Sequence, residues 1–320
     1  MSGERVNDAA RLARWADAGL LAIAIVWGGT FPIVKDLVER VPPHALVAVR
    51  FGVAWLLLAG WAWRRRAAWR PDLVKAGVLL GLILWGGFFT QTVGLEYTGA
   101  AKAGFITALN VVLVPVLAWI AFGQRVSWMM WIGVATAAAG LALLAVDWRA
   151  GFWVEPGDLF VTACAALFAA HIVTVSRLSP RFDSVLLGWV QIGTVAVVSG
   201  IGAWLLDGGF PGVARPDSVL PLLYLSVLAT AGALVGQVYL QKFTAPARVG
   251  LILALEPVFA ALFAWLFLGE RLVATGWLGG ALVLAGVAIA ELERSAGKPA
   301  AGGEIRGRRI RRSRCLDVGR

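Results

Sequence analysis

Two charged side chains, Glu256 and Arg50, fall inside long apolar runs, and His171 joins them as a third titratable group. A charge deep in hydrocarbon costs from about 3 to more than 10 kcal/mol, so such residues are functional candidates by default. Glu256 is followed directly by Pro257, which donates no backbone hydrogen bond and frees the carbonyl of Leu253 four residues back. A carboxyl beside a broken helix can hold a proton, a cation or a substrate amine. It can equally be a buried, protonated acid that bonds a neighbouring helix and shapes a kink. His171 titrates near neutral pH and is a candidate proton relay with Glu256, or a satisfied packing residue. Gln91 and Gln237 each supply donor and acceptor together, which suits a polar or zwitterionic solute but also suits interhelical bonding. Asn110 has the same two readings, as site or as helix–helix contact. Arg50 opens an apolar run and is expected to reach the outer interface or pair with a carboxylate. Lys35 closes a run and reads as an interface anchor. Trp27, Phe31, Trp85, Phe89 and Tyr239 are candidates to wall an apolar cavity, Trp27 foremost because it stands beside Gly28-Gly29.

The elements that must position these groups follow from composition. Of 320 residues, 59% are apolar and only 15% charged, with a mean hydropathy of +0.78. A soluble fold of this size has too little interior to hide that much apolar side chain. Lipid is therefore the solvent for much of the surface. A helix needs about 20 apolar residues to cross the hydrocarbon layer, and ten runs qualify: 18–34, 45–63, 76–95, 103–123, 128–146, 159–176, 185–206, 219–240, 249–269 and 274–290. Turn residues punctuate the linkers, as in Val41-Pro42-Pro43 and Glu155-Pro156-Gly157. With ten spans both termini share one side, and that side carries 22 of the 29 Lys and Arg. The positive-inside rule makes it cytoplasmic. The net charge of +10 thus sits in membrane-flanking clusters and the tail, which points to anionic lipid and not to nucleic acid. Cys164 and Cys315 fall in a span and the tail, so no disulfide, metal site or cofactor is expected.

An internal repeat organises the spans. At one constant offset, Thr98–Arg125 aligns with Thr244–Arg271 without a gap and with 11 of 28 positions identical, among them Trp119/Trp265 and Gly123/Gly269. The register extends to Gly133/Gly279 and Gly140/Gly286, and back to Gln91/Gln237. It also sets Asn110 opposite Glu256. Five spans per half is an odd number, so the second half lies upside down relative to the first. Inverted repeats place a substrate site near the midplane between the halves. The expected organisation is a cytoplasmic segment over residues 1–17, five-helix repeats over 18–146 and 157–291, and a basic, disordered cytoplasmic tail over 292–320.

Several short motifs resemble those of a known family. They are Trp27-Gly28-Gly29-Thr30-Phe31, Arg50-Phe51, Tyr97-Thr98-Gly99-Ala100-Ala101, Leu255-Glu256-Pro257-Val258-Phe259 and Gly269-Glu270-Arg271. Together they are similar to the EamA-type branch of the drug/metabolite transporter superfamily, over nearly the whole chain. The resemblance implies an all-α membrane protein of ten transmembrane helices, as two inverted five-helix repeats around a central cavity, in the cell (inner) membrane. It implies transport of amino acids, metabolites or toxic compounds, usually outward. Trp27, Thr30, Phe31, Gln91, Asn110, Gln237, Tyr239 and Glu256 are the expected substrate-binding or cavity-lining residues. The first half departs from the pattern, with Asn110-Val111 and Gly123-Gln124-Arg125 where the second has Glu256-Pro257 and Gly269-Glu270-Arg271, so strict symmetry at the site is not expected. No phosphate-cradling loop argues for ATP coupling, and two histidines with one deep carboxylate leave an intramembrane enzyme without its parts. A channel of the same architecture remains the alternative to a carrier. Oligomeric state is not encoded in any motif.

Overall fold

Among the described residues, five helices open on proline, which is pre-organised for the first helical turn and gives up an amide hydrogen that the turn would leave unpaired. They punctuate an all-helical chain. The computed structural model describes residues 2–123, 126–145, 155–268 and 274–295. The helices are α1 (Ser2–Gly28), α2 (Thr30–Val38), α3 (Pro43–Arg64), α4 (Pro71–Tyr97), α5 (Ala100–Ala108), α6 (Asn110–Phe122), α7 (Trp128–Ala145), α8 (Pro156–Leu178), α9 (Ser184–Leu205), α10 (Pro216–Ser226), α11 (Ala233–Leu240), α12 (Pro246–Leu253), α13 (Glu256–Leu268) and α14 (Ala274–Ser295). A π-helical stretch, Val227–Gly232, joins α10 to α11. Eight of the segments these helices build are long and apolar enough to cross a membrane. Two more, Trp128–Leu143 and Ala274–Ala290, are apolar but shorter. The basic tail beyond residue 295, with Cys315, lies outside the described residues, as do Gln124, Arg125, Gly269, Glu270 and Arg271.

Helix ends explain why the helices outrun the apolar runs. Glu155 and Asp158 form a reciprocal capping box that starts α8 at Pro156, ahead of the first apolar residue of that run. The Asp183 carboxylate accepts from the amides of Val185 and Leu186, both at 3.0 Å, and starts α9. Asp207, just past the end of α9, accepts from the amide of Ala45 at 2.9 Å and so caps the neighbouring α3.

The strongest packing joins early helices to late ones: α7 lies along α14, α4 along α8 and α9, and α3 along α9. The α7–α14 contact is glycine-mediated. A Cβ on Gly133 would meet the carbonyl of Gly286 at 2.7 Å, and one on Gly140 would meet that of Gly279 at 2.6 Å. Only glycine lets two backbones come this close. Gly28, at the end of α1, plays the same part against α13, where a Cβ would meet Phe259 Cβ at 2.7 Å and the Glu256 carbonyl at 2.9 Å.

Side-chain contacts fix which helix ends lie together. At one end Arg65 pairs with Asp183 at 2.5 Å, and Lys242 donates to the Phe182 carbonyl at 2.9 Å. Asp17 of α1 joins this end through Arg248 at 3.1 Å. At the opposite end Lys35 donates to the Leu95 carbonyl at 2.7 Å, and Lys102 pairs with Asp158 at 2.7 Å.

Candidate functional site

The fourth apolar segment of each half is two helices and not one. α5 gives way to α6 at Leu109, and α12 gives way to α13 at Ala254-Leu255. The joints are tightened by short i to i−3 bonds, from the Leu109 amide to the Ile106 carbonyl and from the Leu255 amide to the Ile252 carbonyl, both 3.1 Å. Asn110 is the first residue of α6 and Glu256 the first of α13. Both therefore sit at half-helix N-termini, where free amides and the helix dipole favour negative charge.

The two joints face a cavity of about 40 Å³ in the middle of the bundle. Its walls include Trp27, Thr30 and Phe31 at the α1–α2 joint, Gln91 of α4, His171 of α8 and Gln237 of α11, together with Asn110 and Glu256. The lining falls into pairs at constant separation along the chain. Four pairs keep the offset of the internal repeat: Phe88/Leu234, Gln91/Gln237, Thr107/Leu253 and Asn110/Glu256. Three more share a second, slightly shorter offset: Trp27/Phe168, Thr30/His171 and Phe31/Ile172. Only Leu84 and Arg50 have no counterpart on the wall.

Arg50 differs from its expected interface position. Its residue is only 3% exposed. α3 starts at Pro43, so Arg50 is two turns into the helix, and its side chain turns inward to partners on other helices. Its Nε donates to Thr230 Oγ1 at 2.7 Å, its guanidinium stacks over the Phe88 ring at 4.6 Å, and a longer bond of 3.5 Å reaches the Ala229 carbonyl. No carboxylate pairs with it among the described residues. The π-helical stretch makes this possible. Within this wider turn Thr230 Oγ1 donates to the Leu225 carbonyl five residues back, at 2.7 Å, and the Ala229 carbonyl accepts from side chains. Trp27 Nε1 donates to that same carbonyl at 2.8 Å. One irregular turn therefore fixes both the cavity's cation and its foremost aromatic wall.

The other polar groups divide into satisfied and unsatisfied. Gln91 Nε2 donates to Thr107 Oγ1 at 3.3 Å. Thr30 Oγ1 donates to the Trp27 carbonyl at 2.7 Å. His171 Nε2 faces Gln191 Oε1 at 2.9 Å, and because an amide oxygen only accepts, this nitrogen carries the proton. Gln191 carries no signal in the sequence that sets it apart from other polar residues in apolar runs. It is related to Arg50 by the same second offset that relates Phe168 to Trp27, and it lies in the equivalent helix. Asn110 Oδ1 and Gln237 Oε1 are buried with no partner. The site thus offers unpaired acceptors, a carboxyl, and a guanidinium that no carboxylate pairs among the described residues.

Tyr239 is not on this wall. Two residues past Gln237, it projects from the opposite face of α11, is 51% exposed and packs edge-on against Phe243. Trp85 and Phe89 stack on each other at 5.5 Å, with Phe89 also 4.3 Å from His44, and are not among the lining residues. Tyr239→Ala is accordingly expected to leave the apparent KM of transport within twofold of wild type, as initial uptake rates would show.

The sequence profile of the EamA-like transporter family matches residues 14–146 and 155–291. The chain belongs to this family. Relatives named as transporters match over most of its length. An uncharacterized transporter of Archaeoglobus fulgidus is 33% identical over 282 residues, 87% of this chain and 86% of that protein. The uncharacterized inner membrane transporter YedA of Escherichia coli K12 is 24% identical, over 84% of this chain and 89% of YedA. A protein of known crystal structure superposes with a TM-score of 0.73 at 20% identity, over 87% of this chain and 98% of that one, which shows a shared fold. This EamA-like protein is therefore a multi-pass membrane transporter, embedded in lipid and acting on a small-molecule substrate.

Proposed function

We propose that this EamA-like protein is a secondary transporter that exports small polar or amphipathic organic solutes, amino acids among them, from the cell by alternating access. All ten apolar helices cross the inner membrane, as two inverted five-helix halves over residues 18–146 and 157–291, with both termini in the cytoplasm. The observation that carries the reading is the central cavity, where two half-helix N-termini present Asn110 and Glu256 and the polar lining is left partly unpaired. Buried polar atoms without partners are costly in the protein alone, and a solute with complementary groups removes that cost. A carboxylate on the solute suits Arg50. An ammonium or hydroxyl suits Glu256, Asn110 and Gln237.

Packing supports the inverted halves. Contacts between helices recur with the halves exchanged: α6 and α5 on α8 correspond to α13 and α12 on α1, and α5 on α13 corresponds to α6 on α12. The glycines of α7 and α14 meet crosswise, Gly133 on Gly286 and Gly140 on Gly279, as a two-fold axis between them requires. At about 40 Å³ the cavity is far below the roughly 300–1,000 Å³ of ordinary ligand pockets. Admitting a solute therefore takes separation of the halves at one end. That is the motion that alternating access needs.

The direct test is counterflow in liposomes, with labelled pools of amino acids, nucleosides and organic cations. Saturable accumulation of one pool is the expected result. A folded, inserted protein that shows none for any pool would remove the carrier reading, and linear, non-saturating flux would replace it with a channel. Glu256, with His171 as its relay, is the proposed proton site. In Glu256→Gln, uptake driven by an imposed pH gradient should fall to the level seen without a gradient, while counterflow, which needs no proton, should persist at a rate lowered by the loss of one solute contact. Retained gradient-driven uptake would rule that role out.

A further inference from the structure

We propose that two matched side-chain triads, one at each end of the bundle, are the latches that open in turn during transport; the inference deepens the transporter reading and rests on it. At one end Asp17 of α1 accepts from Thr244 Oγ1 on Oδ1, at 2.8 Å, and from Arg248 Nε on Oδ2, at 3.1 Å. At the other end Asp158 of α8 accepts from Thr98 Oγ1 on Oδ1, at 2.9 Å, and from Lys102 Nζ on Oδ2, at 2.7 Å. The two arrangements correspond atom for atom. Thr98 and Lys102 map onto Thr244 and Arg248 at the offset of the internal repeat, and Asp17 maps onto Asp158 at the second offset, which also relates Trp27 to Phe168.

Their places in the fold give them a shared task. Thr244 and Arg248 lie just before and within the first turn of α12, and Thr98 and Lys102 do the same for α5. Each of these half-helices ends at a joint beside the cavity, before Glu256 or Asn110. Each triad therefore ties the outer end of a half-helix to the first helix of the other half. Freeing one Asp lets that half-helix swing away and exposes the cavity at that end only. In this structure both triads are made, and the cavity between them is small.

The bonds suit a latch. Each Asp takes a bond from a hydroxyl and one from a full cation, Asp158 a further one from the Glu155 amide at 2.9 Å, and charge-assisted bonds of this kind are stronger than neutral ones. Side-chain exposures of 15% for Asp17, 12% for Arg248 and 10% for Asp158 limit screening by water and salt, while Lys102 is at 32%. The second latch is reinforced by Glu155, whose Oε2 lies 2.7 Å from Thr98 Oγ1, sharing that hydroxyl's single proton with Asp158, and 3.4 Å from Lys102 Nζ.

The test uses the full chain with Cys164→Ser and Cys315→Ser and a single reporter, Thr30→Cys, on the cavity wall. A membrane-impermeant maleimide is applied to right-side-out and to inside-out vesicles. Arg248→Gln should raise labelling at least fivefold from one side, and Asp158→Asn should raise it from the other. The charge-swapped pair Asp17→Arg with Arg248→Asp should return labelling towards the reporter alone. Should a charge variant fail to insert, Thr244→Val and Thr98→Val remove one bond from each triad, keep every charge, and are expected to act in the same opposite directions with smaller effect. Unchanged labelling in all of these variants, or increases from the same side, would overturn the latches. Labelling needs no solute. Side-specific labelling without counterflow would keep the latches and remove the solute reading, and counterflow with unmoved labelling would do the reverse.

Discussion

Replacing Arg50 with methionine should abolish counterflow, by at least tenfold in kcat/KM, while the melting temperature in detergent stays at or above that of the unaltered protein. The two readouts move apart because Arg50 is buried with no carboxylate partner among the described residues, held by Thr230, Ala229 and the face of Phe88. A desolvated charge of this kind is a cost to the fold, and an apolar side chain of similar length removes it. If the guanidinium binds a solute carboxylate, the lost charge-assisted bonds are worth about 1.5–3 kcal/mol, or roughly 10- to 150-fold. Arg50→Lys should restore little, since one ammonium cannot reach Thr230 and Ala229, lie flat on Phe88 and still face the cavity. Transport by Arg50→Met at the normal rate would show that Arg50 serves the fold and not the solute.

The largest effect on stability is expected at a glycine. Gly140→Ala should destabilise the protein by about 2–3 kcal/mol, although alanine is favoured over glycine in a helix by about 1 kcal/mol. The added carbon would sit 2.6 Å from the Gly279 carbonyl oxygen and 2.7 Å from the Val283 amide, both backbone atoms that no rotamer change can move. α7 and α14 would have to separate along their length. Gly60→Ala provides the contrast, since a Cβ there meets nothing within 4 Å, and it should be neutral or mildly stabilising. Thermal melting in detergent separates the two. Equal melting temperatures for both variants would mean that the α7–α14 contact is not a tight one.

Much of the architecture is legible in the sequence because lipid imposes a simple rule on it. Runs of apolar residues long enough to cross a membrane stand out, and the helices follow them. Of the joints at Leu109 and Ala254-Leu255, only the second has a herald, Pro257, because a helix break is set by local backbone geometry that apolar composition does not report. Gln91, Gln237, Asn110 and Glu256 are legible as polar residues in apolar runs, and the structure brings all four to one cavity. Arg50 escapes the same reasoning. Its apolar run begins at Ala45, which suggests the interface, and the partners that hold it, Thr230 and the Ala229 carbonyl, come from a π-helical turn with no sequence signature. Tyr239 differs from Gln237 by two residues of helical phase, enough to turn it away from the cavity. The second offset is hidden because most of the residues it pairs, such as Trp27 with Phe168 and Thr30 with His171, differ in type and agree only in position.

The π-helical turn has a thermodynamic consequence. Two identical halves related by a two-fold axis would give inward-open and outward-open forms of equal free energy, each populated as often as the other. Any resting preference must then arise from the residues that break the relation, apart from the membrane's own asymmetry. A difference of about 1.4 kcal/mol already sets a tenfold ratio between the forms. At the core they include the Val227–Gly232 turn where α4 runs on as regular helix, Arg50 where its counterpart is Gln191, and Glu256 where its counterpart is Asn110. Under the alternating access proposed above, the cavity's chemistry and the balance between its two openings would be set by the same side chains, and a change made to retune the solute would also reset which side the protein faces at rest.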